Sequence, residues 1–263
     1  QEKAKTGMSP ELWEQEYELS FDIGMNPRLY PEYDVEIHED DCKYNFFRPI
    51  IRGWDFGYER PACVIWQKNN FGQAVILDAL LGDDMLIEDF AEMVLSFCKL
   101  NHKPPIVNGR EVPLQYKDYC DHAGTQQKDT GCTKDILRRQ YGIRARSRYS
   151  HPEVRATLIA NGLKLRKDDL PGIVVRRGCM YMPDGFKGGF QCKPDAAGQA
   201  TRIPHKDKYY EHLNDGFGYS YEWEVGVPKQ PVDPEFERRQ REYARKEAQK
   251  YNSVTGYSTV GVG

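Results

Sequence analysis

The sequence predicts an α/β domain, and three observations carry that prediction. Short apolar, β-branched runs follow one another at residues 50–57, 62–66 and 74–80, an apolar stripe at helical spacing comes next, and helix and strand patterns alternate thereafter. A chain of 263 residues suits one large domain, or one domain with extensions.

The runs Ile50-Ile51-Arg-Gly-Trp-Asp55-Phe-Gly57, Ala62-Cys-Val-Ile-Trp66 and Ala74-Val-Ile-Leu-Asp-Ala-Leu80 are separated by turn chemistry at Gly57-Tyr-Glu-Arg-Pro61 and Asn69-Asn-Phe-Gly72. Their spacing predicts a three-stranded antiparallel meander. Leu86, Phe90, Met93, Val94 and Phe97 then mark the buried face of a helix, with Asp83, Asp84 and Glu88 around its positive end. Asn108-Gly109 reads as a hairpin tip and Leu114–Cys120 as a strand ending at Asp121. Ser150-His-Pro-Glu153 reads as a capping box, and Gly162 as the left-handed stop of the helix it opens. Residues 171–193 are Gly-rich and read as a short helix followed by a strand at Gly189-Phe-Gln-Cys192, and Lys206 to Tyr221 reads as a helix.

The two ends differ from this middle. Ser9 and Pro10 start a short helix over residues 8–17, after which the chain is irregular and acidic, with little periodicity to support a core. Residues 1–48 are therefore expected to be a connector or the tail of another domain, residues 49–228 the folded domain, and residues 229–263 a solvated charged helix and a flexible tail. The first residues lack both Met and an apolar signal segment, which predicts a piece of a longer protein.

Mean hydropathy is −0.75, and no run approaches the roughly 18 consecutive apolar residues of a membrane span, so a soluble protein without a membrane partner is expected. Seven cysteines, an odd number with no C-x-x-C pair, argue against a disulfide framework and a zinc ribbon and suit a reducing cytoplasm. Net charge is only −3, but residues 122–214 hold 18 Lys and Arg against 9 Asp and Glu. That local excess attracts phosphates, although an ordinary solvated surface accounts for it equally well.

Three acidic residues sit where packing alone would not choose them: Asp55 closing the first strand, Asp121 closing a later one, and Asp215 in the last helix. Converging carboxylates repel one another unless divalent cations neutralise them, and an all-oxygen donor set indicates Mg2+ or Mn2+. Two such ions about 4 Å apart can activate a water and stabilise the leaving oxygen of a phosphodiester. Taken singly, each aspartate reads as a turn or cap residue. Asp55-Phe-Gly57 spells the kinase magnesium motif, but no Gly-rich loop, Val-Ala-Ile-Lys strand or His-Arg-Asp loop precedes it, and no G-x-x-x-x-G-K-[ST] sequence is present to hold a nucleotide triphosphate.

Together, Arg52-Gly-Trp-Asp-Phe-Gly57, Tyr119-Cys-Asp-His-Ala-Gly124 and Tyr210-Glu-His-Leu-Asn-Asp-Gly-Phe-Gly-Tyr219, in that order and spacing, resemble the nuclease domain of tailed-phage terminase large subunits. The resemblance covers about residues 49–225. It implies a ribonuclease H-like fold, a mixed central sheet flanked by helices, and a metal-dependent endonuclease that cuts concatemeric double-stranded viral DNA. Asp55, Asp121 and Asp215 align with the family's catalytic, metal-binding triad for two ions of Mg2+ or Mn2+. The implied partners are a terminase ATPase domain, the small terminase subunit and the portal protein, in the cytoplasm of an infected bacterium and transiently at the procapsid portal.

This sequence departs from the family where Ala usually follows the helical aspartate: Gly216 and Gly218 stand here, each costing roughly 1 kcal/mol in a helix interior. The helix is expected to end early or to approach the sheet closely. His212, three residues before Asp215, shares nearly its helical face and either helps hold a metal or packs without ligating. Glu59 is an auxiliary carboxylate or, the better reading, a solvated turn residue. Lys206, Lys208, Arg138, Arg139, Arg144, Arg146 and Arg148 are candidates as a group to meet DNA phosphates without reading sequence. Tyr209, Tyr219 and Tyr221 read as core residues of a helical stripe. Two rival readings stay open: another ribonuclease H-like nuclease of resolvase or transposase type, and a non-catalytic DNA-packaging or portal-docking module.

Overall fold

The computed structural model describes residues 26–57, 60–122, 132–197, 199–206 and 209–226. In chain order these form α1 (Val35–His38), β1 (Glu39–Asp40), β2 (Ile50–Asp55), β3 (Ala62–Lys68), β4 (Ala74–Leu81), α2 (Ile87–Asn101), β5 (Ile106–Val107), β6 (Arg110–Glu111), β7 (Tyr116–Asp121), α3 (Thr133–Tyr141), β8 (Arg146–Arg148), α4 (Pro152–Leu163) and β9 (Ile173–Arg176). Then come α5 (Met182–Asp184) running into a π-helical turn (Gly185–Gly189), β10 (Cys192–Pro194), β11 (Ala200–Pro204) and α6 (Tyr210–Val225).

Seven of the strands form one sheet in the order β1-β9-β4-β3-β2-β7-β8. Strands β2, β3 and β4 are the expected antiparallel meander, while β7 runs parallel to β2, β8 to β7, β9 to β4 and β1 to β9. The sheet is therefore mixed. Alternation along each strand divides the core into two layers. Ile51, Val64, Trp66 and Tyr119 face α4 and α6, whereas Ile50, Trp54, Cys63, Ile65 and Cys120 face α2 and α3. The hairpin tip is as predicted, with Asn108 and Gly109 both at positive φ between β5 and β6.

Among the strands, Arg52 of β2 and Asp118 of β7 are joined through two bonds, Nε to Oδ1 at 2.7 Å and Nη2 to Oδ2 at 2.9 Å, and the Trp54 indole also donates to Asp118 at 2.8 Å. Their side chains are only 4% and 6% exposed. Burial opposes the Arg52 charge, but Asp118 outweighs it and holds the guanidinium pKa above its ordinary value. Asp118→Ala would strand a buried cation, so it is expected to cost about 3–5 kcal/mol, read as a lower urea midpoint at unchanged m-value.

Several expectations are corrected. Residues 26–48 do not lack a core role: Leu29, Tyr30 and Tyr33 are buried in the α4/α6 layer, and β1 extends the sheet. Leu29 and Tyr30 are adjacent and a single turn separates them from Tyr33, so no period betrays them. Ser150-His-Pro-Glu153 is no capping box. Helix α4 is capped by His151 without a side-chain bond, and the Ser150 hydroxyl is buried without a partner. Gly162 does not stop α4 either; it lies inside the helix, where a Cβ would come within 2.2 Å of the Tyr221 hydroxyl oxygen and 2.7 Å of Ile173. Within 171–193 the structure adds a strand, β9, while Gly189 ends the π turn and the next strand begins only at Cys192. Helix α6 starts at Tyr210 and not at Lys206, and it runs on through Gly216 and Gly218 to Val225. The expected helix over 8–17, the charged helix and tail of 229–263, Glu59 and Lys208 lie outside the described residues. No helix among the described residues is long and apolar enough to cross a membrane, and none of the seven cysteines forms a disulfide.

Candidate active site

The parallel register of β2 and β7 pairs Trp54 with Cys120, so the next residues, Asp55 and Asp121, end two adjacent strands side by side. Both have odd numbers in strands whose odd residues face α6, so both carboxylates lie on the helix side of the sheet. Helix α6 reaches them because of two glycines. A Cβ on Gly53 would lie 2.0 Å from the Gly216 carbonyl oxygen, and one on Gly216 would lie 3.0 Å from the Gly53 carbonyl oxygen. Of the two outcomes expected for a Gly-containing helix, close approach is the one observed. It sets Asp215 beside Asp55.

Electrostatics report the convergence. Burial first, then the charges of Asp215 and Asp121, raise the Asp55 pKa above its ordinary value, against the lowering effect of His212. Tyr219, buried on α6, is likewise raised by burial and then by Asp215, Asp55 and Asp121. His212 Nδ1 lies 2.8 Å from Asp55 Oδ2, which with the Asp55 charge raises the imidazole pKa; its Nε2 is 3.9 Å from Glu211. Gly57 makes room for that ring, since a Cβ there would sit 3.0 Å from two of its atoms. His212 thus contacts Asp55 directly, whether or not it ligates a metal.

A further participant, Arg155, has no motif in the sequence. Arg155 of α4 is 3% exposed and donates from Nη2 to Asp215 Oδ1 at 2.6 Å. Its signal is a lone cation amid the buried stripe Ala156, Ile159, Ala160 and Leu163. Tyr219 and Tyr221 are core residues as expected, whereas Tyr209 precedes α6.

Among the described residues, no three His, Cys, Asp or Glu side chains are grouped closely enough to hold one metal ion. Arg155 and His212 each occupy an oxygen that such an ion would use. The donor chemistry nevertheless fits a hard divalent cation: three carboxylates lie at one end of the sheet, and the pKa of one, Asp55, is raised by burial and then by the charges of the other two.

The basic side chains divide. Arg144 and Arg146 are exposed and line a cavity of about 570 Å3 with Lys117, Tyr116 and Tyr141, at the half of β7 remote from Asp121. Arg138 and Arg144 line a second cavity of about 480 Å3 with Lys134. Lys206 is exposed before α6. Arg148 already has partners within the chain. Its guanidinium binds the Glu222 carboxylate at 3.0 Å and lies over the Trp223 ring, so its charge is already neutralised.

Comparison with solved structures now bears on this arrangement. The chain aligns with the large terminase of a thermophilic bacteriophage at a TM-score of 0.57 and 14% identity, over 84% of this chain and 54% of that one. The chain has a large-terminase nuclease-like fold. The same terminase with ATP-γ-S aligns at a TM-score of 0.55 and 15% identity, over 74% of this chain and 45% of the other. The nuclease domain of the large terminase from bacteriophage SPP1, crystallised with bound manganese, aligns at 0.49 and 15%, over 72% of this chain and 96% of that one. This chain therefore spans about half the length of the first large terminase it matches. The meander with β7 and β8 added in parallel beside β2 is the ribonuclease H-like arrangement. No protein-family model matches the sequence, and no curated protein does.

Proposed function

We propose that this chain is a metal-dependent endonuclease that cuts concatemeric double-stranded viral DNA during genome packaging, with little sequence preference. The observation that carries the reading is the meeting of Asp55, Asp121 and Asp215 where β2, β7 and α6 come together, on a fold shared with large terminases. Asp55, Asp121 and Asp215 would hold the divalent cations, Mg2+ or Mn2+, two of them on the terminase resemblance. Bound there, the ions supply an activated water and charge stabilisation for the leaving oxygen of the phosphodiester.

The chain's own groups do the rest. Asp55, largely shielded from water, offers a weakly screened negative charge to a cation held between the carboxylates. His212 Nδ1 holds the Asp55 Oδ2 oxygen, and Arg155 holds Asp215 Oδ1, so both carboxylates are oriented before DNA arrives. Arg138, Arg139, Arg144, Arg146, Lys206 and Lys208 offer charge to backbone phosphates without reading bases. The implied setting is a longer packaging enzyme with an ATPase domain, a small terminase subunit and the portal, in the cytoplasm of an infected bacterium.

Supercoiled plasmid incubated with the purified chain is expected to be nicked and linearised in Mn2+ or Mg2+ and left intact in EDTA or by Asp215→Asn. Cleavage that survives EDTA, or that Asp215→Asn retains, would remove these residues from the chemistry. Tight DNA binding with no cleavage in either metal would favour the docking module, and preference for branched DNA a resolvase-type nuclease.

A further inference from the structure

We propose that Arg155 is the internal counter-ion of the carboxylate cluster, positioning Asp215 and setting how tightly the cluster takes a divalent cation. This rests on the metal-dependent reading above. Arg155 is not a surface cation that happens to fall near an acid. Its guanidinium is held by Nη2 to Asp215 Oδ1 at 2.6 Å, by Nη1 to the Ser150 carbonyl at 2.7 Å, and by the Tyr219 ring, 4.3 Å from the guanidinium carbon. Its stem runs over Gly218, where a Cβ would stand 3.0 Å from Arg155 Cδ and 3.1 Å from its Cβ. Gly218, a liability in a helix interior, is therefore accounted for by the side chain it accommodates.

A buried guanidinium is costly unless it is paired, and Asp215 is its direct partner, with the Glu222 charge adding to it. The pairing has two consequences for the cluster. It offsets one of three like charges, so Asp55, Asp121 and Asp215 can be assembled without a cation, and it fixes Oδ1, leaving Oδ2 as the Asp215 oxygen that Arg155 does not hold. It also keeps a permanent positive charge beside any cation that Asp215 would ligate, where screening by water is weak. Arg155 thus holds cation affinity below what three carboxylates alone would provide. Within this reading the cluster is preassembled yet weakly loaded.

The test is Mn2+ titration of the whole chain by calorimetry, without DNA. Arg155→Met keeps the stem and removes the charge, and its Mn2+ dissociation constant is expected to fall by about tenfold, whereas Arg155→Lys stays within about threefold of the parent. Circular dichroism and thermal melting report whether each variant is folded; Arg155→Gln, with the same expected direction, replaces the Met variant if that one is not. Unchanged or weaker Mn2+ binding in the folded neutral variant overturns the proposal, since a purely structural arginine would alter stability alone. Asp215→Asn separates the two readings. If it binds Mn2+ as the parent does, or if neither binds, the cluster is no metal site and both fall. If Asp215→Asn loses binding while Arg155→Met is unchanged, only the counter-ion role falls.

Discussion

Asp55→Ala is expected to lower metal-dependent plasmid cleavage by at least about a thousandfold, or about 4 kcal/mol of barrier, while the protein remains folded with an unchanged or higher melting temperature. The first half follows from position. Asp55 is the carboxylate whose neighbours include both of the others, and β2 offers no second acid to replace it. The second half follows from the sign of its pKa. A carboxyl whose folded pKa is raised gives up its proton more readily in the unfolded chain, so its contribution to stability falls as pH climbs from the ordinary value of 3.8 through the folded one. At neutral pH the Asp55 charge therefore works against folding, a cost characteristic of a site retained for chemistry. Measuring cleavage and melting on one preparation separates the two effects. Residual cleavage near the parent's, or a melting temperature lowered by several degrees, would mean that Asp55 serves the fold and not the reaction.

The same residue shows what could be read without coordinates. Asp55 and Asp121 each end an apolar run, and period-two alternation places both on one face, so two of the three carboxylates were legible from pattern alone. Asp215 was legible only through the resemblance, because an aspartate in a helix flanked by glycines has no local signature. Its partner Arg155 was invisible: the two are 60 residues apart, and nothing local pairs a helix cation with an acid on another helix. The meander was legible because its strands are separated by strong turn chemistry. Strand β9 was not, since Ile173-Val-Val is buried on both faces and so lacks alternation. Ser150-His-Pro-Glu153 shows the converse error, a local pattern satisfied in sequence while the Arg155 guanidinium takes the Ser150 carbonyl and the helix begins after it. Leu29, Tyr30 and Tyr33 look like connector in sequence because burial of isolated anchors depends on the distant surface they meet, here Phe186 and Phe190.

Gly53→Ala tests the contact on which the whole site depends. Its Cβ would stand 2.0 Å from the Gly216 carbonyl oxygen, 2.9 Å from the Gly216 carbonyl carbon and 2.5 Å from Ser220 Oγ. Two of these are backbone atoms in a helix, which cannot rotate aside, so α6 must move off β2 by about 1 Å to restore ordinary contact. That displacement strains the bond from Trp66 Nε1 to Ser220 Oγ, now 2.8 Å, and carries Asp215 and His212 away from Asp55. The expected cost is about 3 kcal/mol in urea unfolding, with a further loss of about a hundredfold in the cleavage rate of the protein that remains folded. Gly216→Ala should behave differently, although it faces the same contact from the other side. Its Cβ would lie 3.0 Å from the Gly53 oxygen and 3.5 Å from the Asp55 nitrogen, which shifts of a few tenths of an ångström relieve, and alanine regains about 1 kcal/mol of helix propensity. Near-parental stability and cleavage are expected there, in keeping with the Ala that the terminase resemblance places after the helical aspartate. Equal tolerance of both substitutions would mean that α6 does not press on β2 at Gly53, and the convergence of the three carboxylates would lose its structural cause.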